Sequence, residues 1–124
     1  MSMEIKLMKG DGDCVRLETL GRVSRSGWKA DQDPISDICG DGIFGRTVLL
    51  NFSRSNYLDS TGVEWLLHSH KRFNKEGGML VIHSVTPVML QILKMMRMET
   101  VLNIAVDEPA AMALVNKAEL GRMA

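Results

Sequence analysis

The sequence predicts a single α/β domain, an N-terminal β-hairpin followed by alternating helices and mainly parallel strands, and three observations carry that prediction. Two compact apolar runs, Thr47-Val48-Leu49-Leu50-Asn51-Phe52 and Met79-Leu80-Val81-Ile82, lack polar alternation, as strands covered on both faces do. Between and after them come segments with apolar residues at threes and fours that open on capping residues, the pattern of helices. Ahead of them, two β-rich stretches flank a glycine-rich cluster. At 124 residues and 45% hydrophobic content the chain can close one core without a metal or disulfide staple. The expected domain is 1–124, with its core from about residue 4 to residue 116.

Taken in order, Ile5 to Met8 and Cys14 to Leu20 read as a hairpin around Lys9-Gly10-Asp11-Gly12-Asp13. That run lacks the distant glutamate of a calcium loop, so it reads as a turn and not as a metal site. In the second strand Val15, Leu17 and Thr19 share one face while Cys14, Arg16 and Glu18 share the other, which predicts a sheet edge covered mainly on one side. Residues 21–45 are rich in Gly, Ser and Asp, and within them Asp33-Pro34 supplies a cap and a first-turn proline. Ile35, Ile38 and Cys39 would then form the apolar stripe of a short helix that Gly40 stops.

After the central strand Thr47 to Phe52, the period changes at Gly62. Val63, Leu66, Leu67, His70 and Phe73 recur at helical spacing, Thr61 and Glu64 have capping-box spacing with Thr61 as the cap, and Gly77-Gly78 ends the segment. A buried strand follows at Met79 to Ile82. Thr86-Pro87 opens an apolar helix that runs to about Met98, in which Met89 and Met96 belong to the core, with Ile92 and Leu93, while Met95 and Met98 are candidate contact residues. Val101 to Val106 reads as a last strand, and Asp107-Glu108-Pro109 starts a small final helix through Ala113 and Leu114.

Composition excludes several classes. The 15 basic and 15 acidic residues cancel and no tail or face is rich in Lys and Arg, which argues against a nucleic-acid partner. Apolar runs fall far short of the roughly 20 residues of a membrane span, and the first residues lack a signal-peptide pattern, so a cytoplasmic protein with no membrane association is expected. Cys14 and Cys39 are isolated and read as small buried apolar groups. His68 and His70, about 200° apart on a helix of ~3.6 residues per turn, cannot ligate from one face, and His83 stands alone. No metal or cofactor is predicted.

Two motifs invite a functional reading. Gly40-Asp41-Gly42-Ile43-Phe44-Gly45-Arg46-Thr47 has phosphate-loop spacing with Arg in place of Lys, but it precedes a strand where a true phosphate loop opens a helix, so it reads as a turn. Asp59-Ser60-Thr61-Gly62 follows a central strand and starts a helix, the position at which open α/β sheets carry functional residues. The helix N-terminus there would tolerate an anion. These residue types also simply favour helix caps, and spacing alone does not separate the two readings. A serine nucleophile is a weaker alternative, because the nucleophile elbow needs glycine where the chain has Leu58, and no convincing His and acid follow.

With Leu58-Asp59-Ser60-Thr61-Gly62 after Val48 to Phe52, Lys71 to Gly78 leading into Met79-Leu80-Val81, and then Thr86-Pro87, the chain resembles the STAS family, the anti-sigma factor antagonists. The resemblance implies a non-enzymatic switch that, unmodified, binds an anti-sigma factor that is also a serine kinase of GHKL type. It implies phosphorylation on Ser60, with Thr61 as second choice, loss of binding, and reversal by a phosphatase acting on phosphoserine. The implied partner surface is Asp59, Ser60, Thr61, Gly62 and Glu64, with Ser24 at the end of the hairpin and Met95 and Met98. The expected state is a monomer or weak dimer. The other reading the resemblance leaves open is a STAS scaffold subunit in a larger sensory assembly. The chain departs from the family pattern in having Arg22-Val23-Ser24 after the hairpin glycine, Glu64 in the second helix and Glu99-Thr100 after the third.

Overall fold

Residues 3–8, 14–29 and 32–123 are described by a computed structural model of the chain. Strands β1 (Glu4–Leu7) and β2 (Cys14–Val23) pair antiparallel, Leu7 opposite Leu17 and Glu4 opposite Leu20. The predicted turn at residues 9–13 lies outside the described residues. β3 (Thr47–Leu58), β4 (Met79–His83) and β5 (Asn103–Ala105) add in parallel, giving a five-stranded sheet in sequence order. The predicted architecture, a hairpin and then parallel strands joined by helices, is the one the chain adopts.

The period-2 geometry of the strands divides the core in two. Val48, Leu50 and Phe52 of β3 with Leu80 and Ile82 of β4 face a large core shared with helices α1 (Pro34–Cys39), α2 (Ser60–Glu76) and α3 (Pro87–Met95). Leu49 and Val81 face the other way, into a smaller core under α4 (Glu108–Met123), whose Ala111 and Val115 are buried. Cys14 joins this second core and Cys39 packs against the first, so the two cysteines lie on opposite faces of the sheet. Among the described residues no helix is long and apolar enough to cross a membrane.

α1 begins as its sequence requires: the Asp33 side chain accepts the Ile35 N–H at 2.9 Å and Pro34 fills the first turn. Ile35 is fully buried, but Ile38, expected in the same stripe, is 41% exposed because six residues make too little helix to seat both. The glycine-rich run that follows forms a 3-10 turn (Asp41–Gly45) and leads into β3, the reverse of a phosphate loop. α2 ends where Gly77 takes the left-handed conformation (φ 89°), and the Gly78 N–H returns to the Phe73 carbonyl.

Several boundaries differ from the expected ones. β2 is an interior strand with β1 outside it, and its second face is covered as well, with Cys14 and Glu18 buried and Arg16 half-buried. β3 runs six residues past Phe52, through Ser53-Arg54-Ser55-Asn56-Tyr57-Leu58, by pairing with a β2 that continues to Val23. α3 stops at Met95, and Arg97 turns left-handed (φ 58°) into a 3-10 turn (Met98–Thr100). Met96, assigned to the core, is therefore 40% exposed where the helix gives out, whereas Met98, expected as a contact residue, packs against the core. The last strand is only Asn103–Ala105, and α4 continues to Met123, well past Leu114.

Candidate functional site

The length of β2 and β3 builds the site. Two register shifts, between Glu18 and Leu20 and between Gly21 and Arg22, let β3 use two more residues than β2 over the same span, and the strands close in register at Val23 opposite Leu58. The next residues, Ser24 and Asp59, are thereby neighbours across the sheet although 35 positions apart in sequence.

Asp59 is the N-cap of α2, with extended φ and ψ and its Oδ1 accepting the Gly62 N–H at 2.9 Å. This corrects the expectation that Thr61 is the cap: Thr61 lies inside the first turn, and no Thr61–Glu64 capping box forms. The Thr61 hydroxyl donates to Asp59 Oδ1 at 2.6 Å and accepts the Arg25 N–H at 2.9 Å. Ser24 Oγ donates to Asp59 Oδ2 at 2.6 Å and accepts the Ser26 N–H at 3.1 Å. Each hydroxyl has one proton and both protons go to the carboxylate, so the 3.3 Å approach of Ser24 Oγ to Thr61 Oγ1 is a packing contact. Burial pushes the Asp59 carboxyl up, but hydrogen bonds from Ser24, from Thr61 and from the backbone of Gly62 and Thr61 outweigh it and hold the group below its ordinary 3.8.

Gly62 is required by close approach. A Cβ there would lie against the Val23 carbonyl oxygen, 2.8 Å from the Val23 carbonyl carbon and 3.0 Å from Leu58 Cδ1. The backbone that Gly62 admits is the chain's own. Asp59, Thr61, Gly62 and Ser24 together fasten the end of the hairpin strand to the start of α2.

Ser60 stands apart from that task. It is exposed at the first helical position, and its hydroxyl has no hydrogen-bond partner among the described residues. Glu64 is exposed one turn further along the same helix face. Of the other candidate contacts, Ser24 is 2% exposed and Gly62 is buried, so both act from within the structure. Met95 is 77% exposed at the end of α3 and Met98 half-buried beyond it, and neither shares a hydrogen bond with the network. Sequence reasoning missed Arg25, whose N–H completes the Thr61 bonds, and Trp28, whose ring packs edge-on against buried Trp65 at 5.7 Å and seats the segment after Ser24 on α2. The pair of tryptophans in a chain of low aromatic content was the available signal for that contact.

His83, at the end of β4, is buried with Nδ1 2.9 Å from Ser84 Oγ. Burial holds its pKa below the usual histidine value, with Glu108 and Asp107 pulling the other way and Arg16 adding to the depression. It is bonded to its own neighbour Ser84 and shares no hydrogen bond with Ser60.

Residues 8–105 match the family model described as Mlab, STAS domain. Among solved structures, the chain is similar to an anti-sigma factor antagonist from Mycobacterium paratuberculosis, at 16% identity and a TM-score of 0.71 over 93% of this chain and 95% of that one. It is similar also to the anti-sigma factor antagonist SpoIIAA in its unphosphorylated form, at 17% identity and a TM-score of 0.66 over 91% and 97%. The same Bacillus protein in its phosphorylated form aligns at 17% identity and a TM-score of 0.58 over 90% and 99%. These likenesses establish the fold. A search of functionally curated proteins finds no significant match.

Proposed function

The chain belongs to the STAS domain family, and on that premise we propose that it is an anti-sigma factor antagonist, a non-enzymatic binding module switched by phosphorylation of Ser60. Unmodified, it binds an anti-sigma factor that is also an ATP-dependent serine kinase; phosphorylated, it lets go; a phosphoserine phosphatase resets it in the cytoplasm. The observation that carries the reading is the division of labour in Asp59-Ser60-Thr61-Gly62. Capping and close approach account for three of the four residues, and the fourth presents an unpartnered hydroxyl to solvent. Structures of a similar protein, SpoIIAA, in unphosphorylated and phosphorylated forms support the same reading.

The physics of the switch follows from position. A phosphate on Ser60 adds roughly 1.5 to 2 negative charges at the start of α2, the end at which the helix dipole favours an anion. The same charge lies beside the Asp59 carboxylate and one turn from Glu64, on a surface that must lose its water when a partner docks. A penalty of only about 3 kcal/mol weakens binding roughly a hundredfold. A hydrolase would need a base on the serine, and among the described residues none touches the Ser60 hydroxyl.

The test is direct. Incubated with its kinase and ATP, the chain should gain one phosphate that maps to Ser60, and absence of phosphate from the segment 59–62 sinks the proposal. In titration calorimetry against the kinase, Ser60→Ala should bind as the unmodified chain does and Ser60→Asp distinctly more weakly. Equal affinities for the two variants would remove the charge argument.

A further inference from the structure

Three hydroxyls crowd the junction of β2 and α2, those of Ser24, Ser60 and Thr61, and their surroundings treat them unequally. Ser24 is nearly inaccessible. Thr61 is half-exposed, sits one residue from Ser60, and offers a kinase a hydroxyl in nearly the same place. What separates it from Ser60 is its bonding: its proton lies on Asp59 Oδ1, and a lone pair takes the Arg25 N–H.

We infer that Asp59, held from behind by Ser24, selects the phosphoacceptor by withholding the Thr61 hydroxyl and leaving Ser60 Oγ as the reactive one. The inference rests on the reading of this segment as a phosphorylation site. In the transfer, a serine oxygen lone pair attacks the terminal phosphorus of ATP and a new O–P bond forms. The bond from that phosphorus to the bridging oxygen breaks, ADP leaves, and the hydroxyl proton passes to the kinase's base. Ser60 Oγ can do this without giving up any contact. Thr61 Oγ1 must give up a 2.6 Å charge-assisted bond to Asp59, and one of its two lone pairs is already engaged by the Arg25 N–H at 2.9 Å. Asp59 is a poor base for activating Thr61, because its four hydrogen bonds keep it ionised and weakly basic. Ser24 contributes by occupying Oδ2, so the carboxylate cannot rotate away from Thr61 without losing a second 2.6 Å bond. Asp59 and Ser24 are thus positioning residues. Neither meets the nucleotide.

Phosphorylation by the kinase and ATP, with sites mapped by mass spectrometry, should be compared in four chains: unmodified, Ser60→Ala, Ser60→Ala with Asp59→Ala, and Ser60→Ala with Ser24→Ala. The unmodified chain should carry phosphate on Ser60 alone, and Ser60→Ala almost none. Releasing Thr61 in the Asp59→Ala double variant should raise its phosphorylation roughly tenfold or more, the rate equivalent of one charged hydrogen bond. The Ser24→Ala double variant, which keeps the cap, should give a smaller rise. Ready modification of Thr61 in Ser60→Ala alone overturns the selection while leaving the switch intact. No phosphate in the unmodified chain overturns both. A second readout needs no kinase: in the unmodified chain, slowly exchanging hydroxyl protons should be seen by NMR for Ser24 and Thr61 and not for Ser60. The Thr61 signal should vanish in Asp59→Ala. A protected Ser60 proton, or a Thr61 proton exchanging too fast to be seen in the unmodified chain, overturns the assignment.

Discussion

Asp59 shows how much one carboxylate can organise. It caps a helix, receives two hydroxyl protons and joins β2 to α2. Loss of a cap alone costs about 1 kcal/mol, and Asp59→Ala, which also strands the Ser24 and Thr61 hydroxyls, should exceed that in urea denaturation at pH 6. Its pH dependence has a definite sign. Because the folded-state pKa lies below the ordinary value of 3.8, the Asp59 contribution is complete above that pH and is lost as the pH falls through the lower, folded value. The stability gap between the unmodified chain and Asp59→Asn should therefore narrow on going from pH 6 to pH 2.5. A constant gap would show that the ionised form is not what the network stabilises. Gly62 offers a sharper steric test. A Cβ there meets backbone on β2 that cannot turn aside, so Gly62→Ala should cost roughly 1–3 kcal/mol or more, whereas Gly121→Ala, in open space on a helix, should be neutral or slightly stabilising.

At the scale of elements, what the sequence revealed and what it hid have a common cause. Strands and helices that bury apolar residues at their own period, such as Val48 to Phe52 and the stripe Val63, Leu66, Phe73, declare themselves locally. The second half of β3 does not, because Ser53-Arg54-Ser55-Asn56-Tyr57 is polar and becomes strand only by pairing with β2. Its one buried residue within that run, Ser55, is held by a buried hydrogen bond to the Thr19 hydroxyl in place of apolar packing. The site inherits the same difficulty. Asp59-Ser60-Thr61-Gly62 was legible as a helix start and, through family resemblance, as a site, but the distribution of roles within it depends on Ser24 and Arg25, which only the register of β2 on β3 brings near. Thr61 looked like the cap because threonine before a helix commonly is one; Asp59 holds that place because β3 extends to Leu58. The Thr19–Ser55 bond can be tested alone. Thr19→Val leaves a buried hydroxyl unsatisfied and should cost about 1–3 kcal/mol in chemical denaturation, while Thr19→Val with Ser55→Ala should recover part of the loss. Additive losses would mean that the two hydroxyls are independently satisfied.

For the whole molecule the sheet acts as a partition. The large core on one side positions α2 and hence Ser60; the small core on the other consists of Cys14, Leu49, Val81 and Ala105 beneath Ala111 and Val115 of α4. The site network draws nothing from α4, whose polar ties include the Arg16–Glu108 ion pair at 3.1 Å, the Asp107 cap on the Ala110 N–H and the Arg122 bond to the Gly77 carbonyl. Weakening the small core should therefore lower stability without altering the site. Val115→Ala removes two buried methyl groups and should cost about 2 kcal/mol at ~0.8 kcal/mol per group plus a small cavity. Phe73→Ala, in the large core against Phe44, should cost about 3–5 kcal/mol. The informative comparison is at the site. Under conditions where Val115→Ala remains fully folded, Ser60 should be phosphorylated at the unmodified rate and the Ser24 and Thr61 hydroxyl protons should keep their protection. Phe73→Ala, which loosens the helix that carries Ser60, should weaken that protection first. If Val115→Ala disturbed the hydroxyl protons as much as Phe73→Ala does, the two cores would be one cooperative unit across the sheet, and the site would depend on α4 as much as on α2.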